Sequence, residues 1–192
     1  MARDSKRKPI KNQDLGVKPK SDRLSGISVA LAVCGGIAAV ESVKVARELR
    51  RHGADVTPFL SPTATDFIGA AALEWACERA PIQKPRPSVD HLDAFDLVVV
   101  APATLNTMAK AAAAIGDNVV LLLLASQFGR KAPVIFVPTM NEQLAHHPHF
   151  SEIKKRLEGW GATFMKPSEE EGRWKMPEAE TLVKQILAAW EK

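Results

Sequence analysis

The stretch Ile27–Gly53, ISVALAVCGGIAAVESVKVARELRRHG, decides the architecture. Its first seven residues, Ile27 to Val33, form a short apolar run of the kind that makes a buried strand. Gly35 and Gly36 follow at once and allow a tight turn. From Ile37 to His52 the period lengthens to that of a helix, with Val40, Val43, Ala46 and Leu49 on one face. Glu41, Lys44, Arg47, Glu48 and Arg51 take the other face, and Gly53 ends the helix as its C′ residue. A strand, a glycine turn and a helix in that order open a βαβ unit.

The alternation continues outward from this unit. Asp55 to Leu60 reads as the second strand, and Ser61-Pro-Thr-Ala as a turn in which Thr63 caps a helix through about Ala76. A proline-containing loop covers Cys77 to Val89. Leu97 to Ala101 reads as a strand buried on both faces, running into Pro102-Ala-Thr-Leu-Asn-Thr107 and an Ala-rich helix through Ala114. Asn118 to Phe128 reads as a helix apolar on every side, which a domain of this size has little room to enclose and which therefore favours an oligomer interface. A strand at Pro133 to Val137, a helix at Pro148 to Gly159, a strand at Ala162 to Met165 and a helix at Pro177 to Trp190 complete the chain. The pattern predicts an α/β fold with a doubly wound parallel sheet.

At 192 residues, the chain has the mass for one domain with its own core. Two cysteines, Cys34 and Cys77, cannot supply a disulfide framework and lie in no metal-ligand spacing, so a reducing, cytoplasmic compartment is expected. The longest uncharged stretches, Leu97 to Ala109 and Asn118 to Gly129, are too short for a membrane helix, and residues 1–26 have no apolar segment of a secretory signal. The net charge of +4 divides unevenly. Residues 1–25 carry eight basic side chains against three acidic ones, a balance of +5, so the rest of the chain holds −1. That places the positive charge in a tail, read as a disordered solvated extension or expression remnant, or as an arm for an anionic partner. Residues 26–192 then form the domain, with neither nucleic acid nor membrane as its partner.

In open α/β sheets, ligands bind at the carboxyl ends of the strands. Four turns lie at such ends here: Cys34–Ile37, Ser61–Ala64, Pro102–Thr107 and Pro138–Asn141. Gly35 and Gly36 expose N–H groups at a helix start, where the dipole favours a phosphate. The dinucleotide spacing GxGxxG is absent, and the second strand ends in Ser61 rather than in an acidic residue for a ribose. Ser61, Thr63, Thr104, Asn106 and Thr107 supply hydroxyls and an amide that suit a mononucleotide phosphate and a polyol chain, although each hydroxyl could equally be a helix cap.

These residues carry a resemblance. The run VCGGIAA at Val33–Ala39, the Ser61-Pro-Thr turn, His91 ahead of the block DLVVVAPATLNT ending at Thr107, and PTMN at Pro138–Asn141 resemble the flavin-containing cysteine decarboxylases, in order from about Ile27 to Ile186. PATLNT is similar to the family's PASANT motif, and PTMNEQLA to the first half of its PxMNxxMW motif. The resemblance implies a flavodoxin-like, three-layer α/β/α domain that binds FMN and assembles as a homo-oligomer, a trimer or dodecamer. It implies that Gly35, Gly36, Ile37, Ser61, Thr63, Phe67, Pro102, Ala103, Thr104, Asn106 and Thr107 hold FMN. His91 matches the family's active-site histidine, and Met140 and Asn141 its substrate-binding residues, Asn141 on the carboxylate. The implied substrate is a small carboxylated thiol such as phosphopantothenoylcysteine, in coenzyme A biosynthesis, or a peptide's C-terminal cysteine. The flavin oxidises the cysteinyl group to a thioaldehyde-like species, carbon dioxide is lost, and the reduced flavin is recovered.

The sequence departs from the family in two places. Leu144-Ala145 stands where the motif has Met-Trp, and the Lys166–Pro177 segment keeps Gly172-Arg173 but lacks the cysteine of the family's substrate clamp. A non-catalytic FMN-binding subunit is therefore the alternative, with a flavin prenyltransferase-like enzyme on the same fold behind it. His146, His147 and His149 lack helical ligand geometry, so no metal is expected.

Overall fold

The computed structural model describes residues 16–85 and 93–191. Its centre is a parallel five-stranded sheet in which β1 (Ser28–Val33) lies between β2 (Asp55–Leu60) and β3 (Leu97–Ala103). β4 (Val134–Pro138) and a later short strand, β6 (Ala162–Phe164), extend the far side. The order β2-β1-β3-β4-β6 is the flavodoxin order, confirming the expected fold class. Strand periodicity of two sorts the core into two layers. Val29, Leu31 and Val33 of β1 face one layer and Ala30 and Ala32 the other, with Cys34 continuing the second set.

The first layer is closed by α1 (Ser42–Arg51), α2 (Ala70–Cys77) and α7 (Ala179–Trp190). The second is closed by α3 (Leu105–Ala112), α4 (Val119–Gly129) and α6 (Phe150–Gly159). Helices cover both faces, so every central strand can be apolar throughout. Among the described residues no helix is long and apolar enough to cross a membrane.

Several expectations need correction. The helix drawn from Ile37 to His52 starts as a 3-10 turn, Ile37–Glu41, before α1. The tighter winding shifts the helical phase, so Val40 is exposed while Val45 takes the core position and Glu48 is buried. Thr63 caps no helix: Pro62–Asp66 is a second 3-10 turn, and α2 begins separately after Gly69. α4 is enclosed by its own chain, with Val119, Val120, Leu121, Leu123 and Leu124 at 1% exposure or less. Its apolar surface is thus no evidence for an oligomer.

Residues 16–25, the end of the stretch expected to be a tail, are among the described residues. Gly16–Ser25 docks on the domain because Leu24 is fully buried in the first layer and Lys20 pairs with the buried Glu48 at 2.7 Å. One buried apolar side chain, the ion pairs of Lys20 with Glu48 and Glu180 and of Arg23 with Glu191, and backbone hydrogen bonds to Arg51 and His52 anchor a segment whose composition reads as solvated. Three small elements were absent from the sequence reading: β5 (Met140–Asn141), α5 (Glu142–Ala145) and the hairpin of β7 (Ser168–Glu170) and β8 (Arg173–Lys175). β8 pairs antiparallel with both β5 and β7, forming a small second sheet beyond the carboxyl end of β4.

Candidate functional site

β1 and β3 are neighbours whose chain connections leave on opposite faces, and the crevice outside their carboxyl ends is the switch point of this sheet order. A cleft of about 1440 Å³ opens there. Its floor is built from the turns after β1, β2 and β3. Gly35 is required by close approach: an added Cβ would lie 2.5 Å from the Cβ of Thr63 and 2.8 Å from its carbonyl carbon. The turns after β1 and β2 touch backbone to backbone, drawing Gly36, Ser61 and Thr63 into one wall of the cleft.

Thr104 is the N-cap of α3. Its Oγ1 accepts from the Thr107 N–H at 3.3 Å and its hydroxyl donates to Thr107 Oγ1 at 3.1 Å. The N–H groups of Leu105 and Asn106, in the same first turn, have no carbonyl one turn earlier within the helix. Together with the dipole of α3 they make this corner of the cleft an anion acceptor. Pro102, at the end of β3, adds an apolar surface and carries no N–H, and the β3–β4 register breaks between Val100 and Ala103. Ile37, 76% exposed, and Val40 give the cleft an apolar rim.

Cys34 lies directly beneath this floor and is fully buried. Burial pushes its thiol up to about 11, against the opposing hydrogen bonds from the Thr107 side chain and Thr104 backbone. A thiol so held is a packing group and not a nucleophile at neutral pH. Cys77, buried at the end of α2, is pushed up by burial to about 12.

On the far wall, Met140 is buried and Asn141 is exposed, both against the cleft. Asn141 Oδ1 accepts from the Leu144 N–H at 3.3 Å as the N-cap of α5, so its amide nitrogen is the group left to donate outward. Thus the fold gathers Gly35, Gly36, Ile37, Ser61, Thr63 and Pro102 with Thr104, Asn106, Thr107, Met140 and Asn141 around one cleft. It does not gather Ala103, whose side chain is buried in the second core layer, or Phe67, which follows the second 3-10 turn away from the lining. His91 lies outside the described residues.

Sequence reasoning missed the roof. Ser168, Glu170, Arg173, Trp174 and Lys175 of the hairpin line the cleft, as do Asp117 and Asn118 ahead of α4. Glu171 and Gly172 at the hairpin turn both have positive φ, at 53° and 66°. A glycine in a two-residue link between Ser-Glu-Glu and Arg-Trp-Lys was the signal available for it. The stacked rings of His147 and His149, 6.1 Å apart, border the cleft, and His149 Nδ1 lies 2.9 Å from Glu152. Among the described residues no group of three or more His, Cys, Asp or Glu could hold a metal ion.

The comparisons with known proteins fit this geometry. Coenzyme A biosynthesis bifunctional protein CoaBC of Thermococcus kodakarensis is 35% identical over 175 residues, which cover 88% of this chain and 43% of the relative. The chain therefore spans less than half the length of the bifunctional relatives it matches. Solved structures share its fold, among them two decarboxylases. The FMN-dependent cysteine decarboxylase SpaF superposes with a TM-score of 0.75 at 22% identity, covering 88% of this chain and 99% of the other. A PPC decarboxylase variant complexed with pantothenoylaminoethenethiol gives 0.76 at 19% identity, covering 86% and 99%. Residues 17–191 match the Flavoprotein family, so nearly the whole described chain is accounted for by one family. With its sheet order and its cleft at the switch point, the chain belongs to the flavoprotein family.

Proposed function

We propose that this chain is an FMN-dependent decarboxylase of a cysteinyl carboxylate, with phosphopantothenoylcysteine, on the route to coenzyme A, as substrate. The observation that carries the reading is the cradle at the switch point, where only glycine at position 35 lets the first turn meet Thr63, beside the N-terminus of α3. Its donor set fits a mononucleotide. Backbone N–H groups and the hydroxyls of Ser61, Thr63 and Thr104 suit a phosphate, and Pro102, Ile37 and Val40 offer apolar surface to a flat ring. In this reading Gly35, Gly36, Ser61, Thr63 and the 102–107 loop hold FMN.

When bound, FMN supplies a two-electron acceptor that draws on the cysteinyl group and returns the electrons after carbon dioxide has left. The chain's own residues bind and orient. Asn141 donates its amide N–H to the substrate carboxylate, fixing it without neutralising the charge that must depart as carbon dioxide. His91 is the residue proposed to hold or move a proton, as an imidazole can near neutrality. Support comes from the likeness to CoaBC and to cysteine decarboxylases. The resemblance of its motifs to the cysteine decarboxylases carries the further proposal that the chain works as a homo-oligomer, a trimer or dodecamer, in the cytoplasm.

A second reading, an FMN-binding subunit without turnover, is favoured by one observation. The hairpin over the cleft contains no cysteine, and both cysteines of the chain are buried elsewhere. One experiment separates the two. Purified protein is expected to be yellow and to release FMN on denaturation, and anaerobic phosphopantothenoylcysteine should bleach the flavin and release carbon dioxide. Colourless protein that takes up no added FMN overturns both readings; bound FMN with neither bleaching nor carbon dioxide leaves the second.

A further inference from the structure

The roof of the cleft has two chemically distinct faces. Asn141 and Glu170 both lie opposite Arg173, and Ser168 lies opposite Lys175. Directly opposed residues of antiparallel strands share a face, and so do residues two apart on one strand. Asn141, Ser168, Glu170, Arg173 and Lys175 therefore form one polar face, and all five line the cleft. The other face is anchored: Trp174 meets Phe150 edge-to-face at 5.4 Å, opposite the buried Met140.

Within the cleft lining, charge is balanced at every lysine or arginine but one. Lys110 pairs with Asp117, and Lys175 lies 2.8 Å from Glu170 and 3.5 Å from Glu171. Arg173 has no carboxylate within ion-pair distance among the described residues. Its strand is sewn to a neighbour on each side, so the guanidinium springs from a fixed backbone. An unpaired arginine on a rigid element beside a substrate-binding amide is suited to a doubly ionised oxyanion, which its planar fork meets through two parallel hydrogen bonds.

We infer that Arg173 binds the phosphate monoester of the substrate and makes the chain selective for phosphorylated over unphosphorylated or peptidyl cysteine. The inference rests on the decarboxylase reading above. The departing carboxylate is the wrong partner for Arg173, because a guanidinium on that group would stabilise the ground-state charge and oppose loss of carbon dioxide. Asn141 supplies the neutral donor for it. The phosphate is the other anionic group of the substrate, and Arg173, the first residue of β8 after the hairpin turn, lies directly opposite Asn141 on the same polar face.

The test is equilibrium binding of 4′-phosphopantetheine and pantetheine, which lack the cysteinyl carboxylate, to the FMN-loaded protein. The phosphorylated thiol is expected to bind at least tenfold more tightly. Arg173→Gln should reduce the affinity for 4′-phosphopantetheine to that for pantetheine, and Arg173→Lys should restore part of the difference. In turnover, Arg173→Gln should raise KM for phosphopantothenoylcysteine far more than it lowers kcat. Equal binding of the two thiols, failure to bind either, or a preference that survives Arg173→Gln overturns the inference. Turnover of phosphopantothenoylcysteine by the unaltered protein tests the decarboxylase reading separately, since that reading stands whenever carbon dioxide is released, whichever group holds the phosphate.

Discussion

Gly35 and Gly36 are adjacent, and by composition they are interchangeable members of one turn. Their surroundings separate them. A Cβ at Gly35 would meet Thr63 at 2.5 Å, including its backbone at 2.8 Å, whereas a Cβ at Gly36 finds only Thr104 Cγ2 at 4.0 Å. The clash at Gly35 cannot be relieved by a rotamer change, since it involves Thr63's own Cβ and carbonyl carbon, so two turns must part. Gly35→Ala is therefore expected to destabilise the protein by about 1–3 kcal/mol and to weaken FMN binding. Gly36→Ala should stay within about 0.5 kcal/mol, because its extended backbone admits any residue and the added methyl group is in ordinary contact. Urea unfolding of the two variants checks the contrast, and equal losses would refute it.

The roof hairpin is an element held chiefly from one side. Trp174 contacts Phe150 edge-to-face, the two-residue strand β5 pairs with β8, and the Glu142 N–H donates to the Gly172 carbonyl at 3.0 Å. Removing the indole leaves the β5–β8 pairing with little apolar support, and so short a ladder is marginal by itself. Trp174→Ala should therefore raise hydrogen exchange at the amides of β7 and β8 by tenfold or more while β1 and β3 keep their protection. Uniform loss of protection would show instead that Trp174 supports the whole core. The same hairpin marks where the sequence stops being legible. β1 and β2 were readable within a residue because apolar runs bounded by glycine or a turn advertise buried strands. Ser168–Lys175 has five charged residues in eight, and its partner β5 lies some thirty residues earlier, so its pairing has no local signature. The turns that make the floor of the cleft were legible from their glycines and hydroxyls. The 3-10 starts after β1 and β2 were not, since a change from 3.6 to 3.0 residues per turn over five residues leaves almost no trace in periodicity.

For the molecule as a whole, stability should fall at both ends of the pH scale for identifiable reasons. At the acid end the group is Glu48, buried on α1, which ties the N-terminal segment to the domain through Lys20 and pairs within its own helix with Arg51, each at 2.7 Å. Burial raises its pKa, but the hydrogen bonds from Lys20 and Arg51 outweigh burial and leave it below the usual carboxylate value. Its contribution is present above the unfolded-state pKa and disappears as pH falls through the lower folded value. At the alkaline end the groups are the two thiols. Their folded values, about 11 for Cys34 and about 12 for Cys77, exceed the ordinary 9.0 because burial disfavours the thiolate. Above pH 9 the unfolded chain releases thiol protons that the folded chain retains, so stability declines as pH rises, by up to about 1.4 kcal/mol per unit for each thiol. The chain has no tyrosine, and between pH 9 and 10 most lysines keep their charge, so this window isolates the thiols. Urea midpoints measured from pH 8 to 10 should fall in the unaltered protein and fall less in a Cys34→Ala, Cys77→Ala double variant, once each series is referred to its own value at pH 8. Parallel curves would mean that the thiols ionise as readily in the fold as outside it, which is incompatible with two cysteines enclosed beneath the cleft floor and at the buried end of α2.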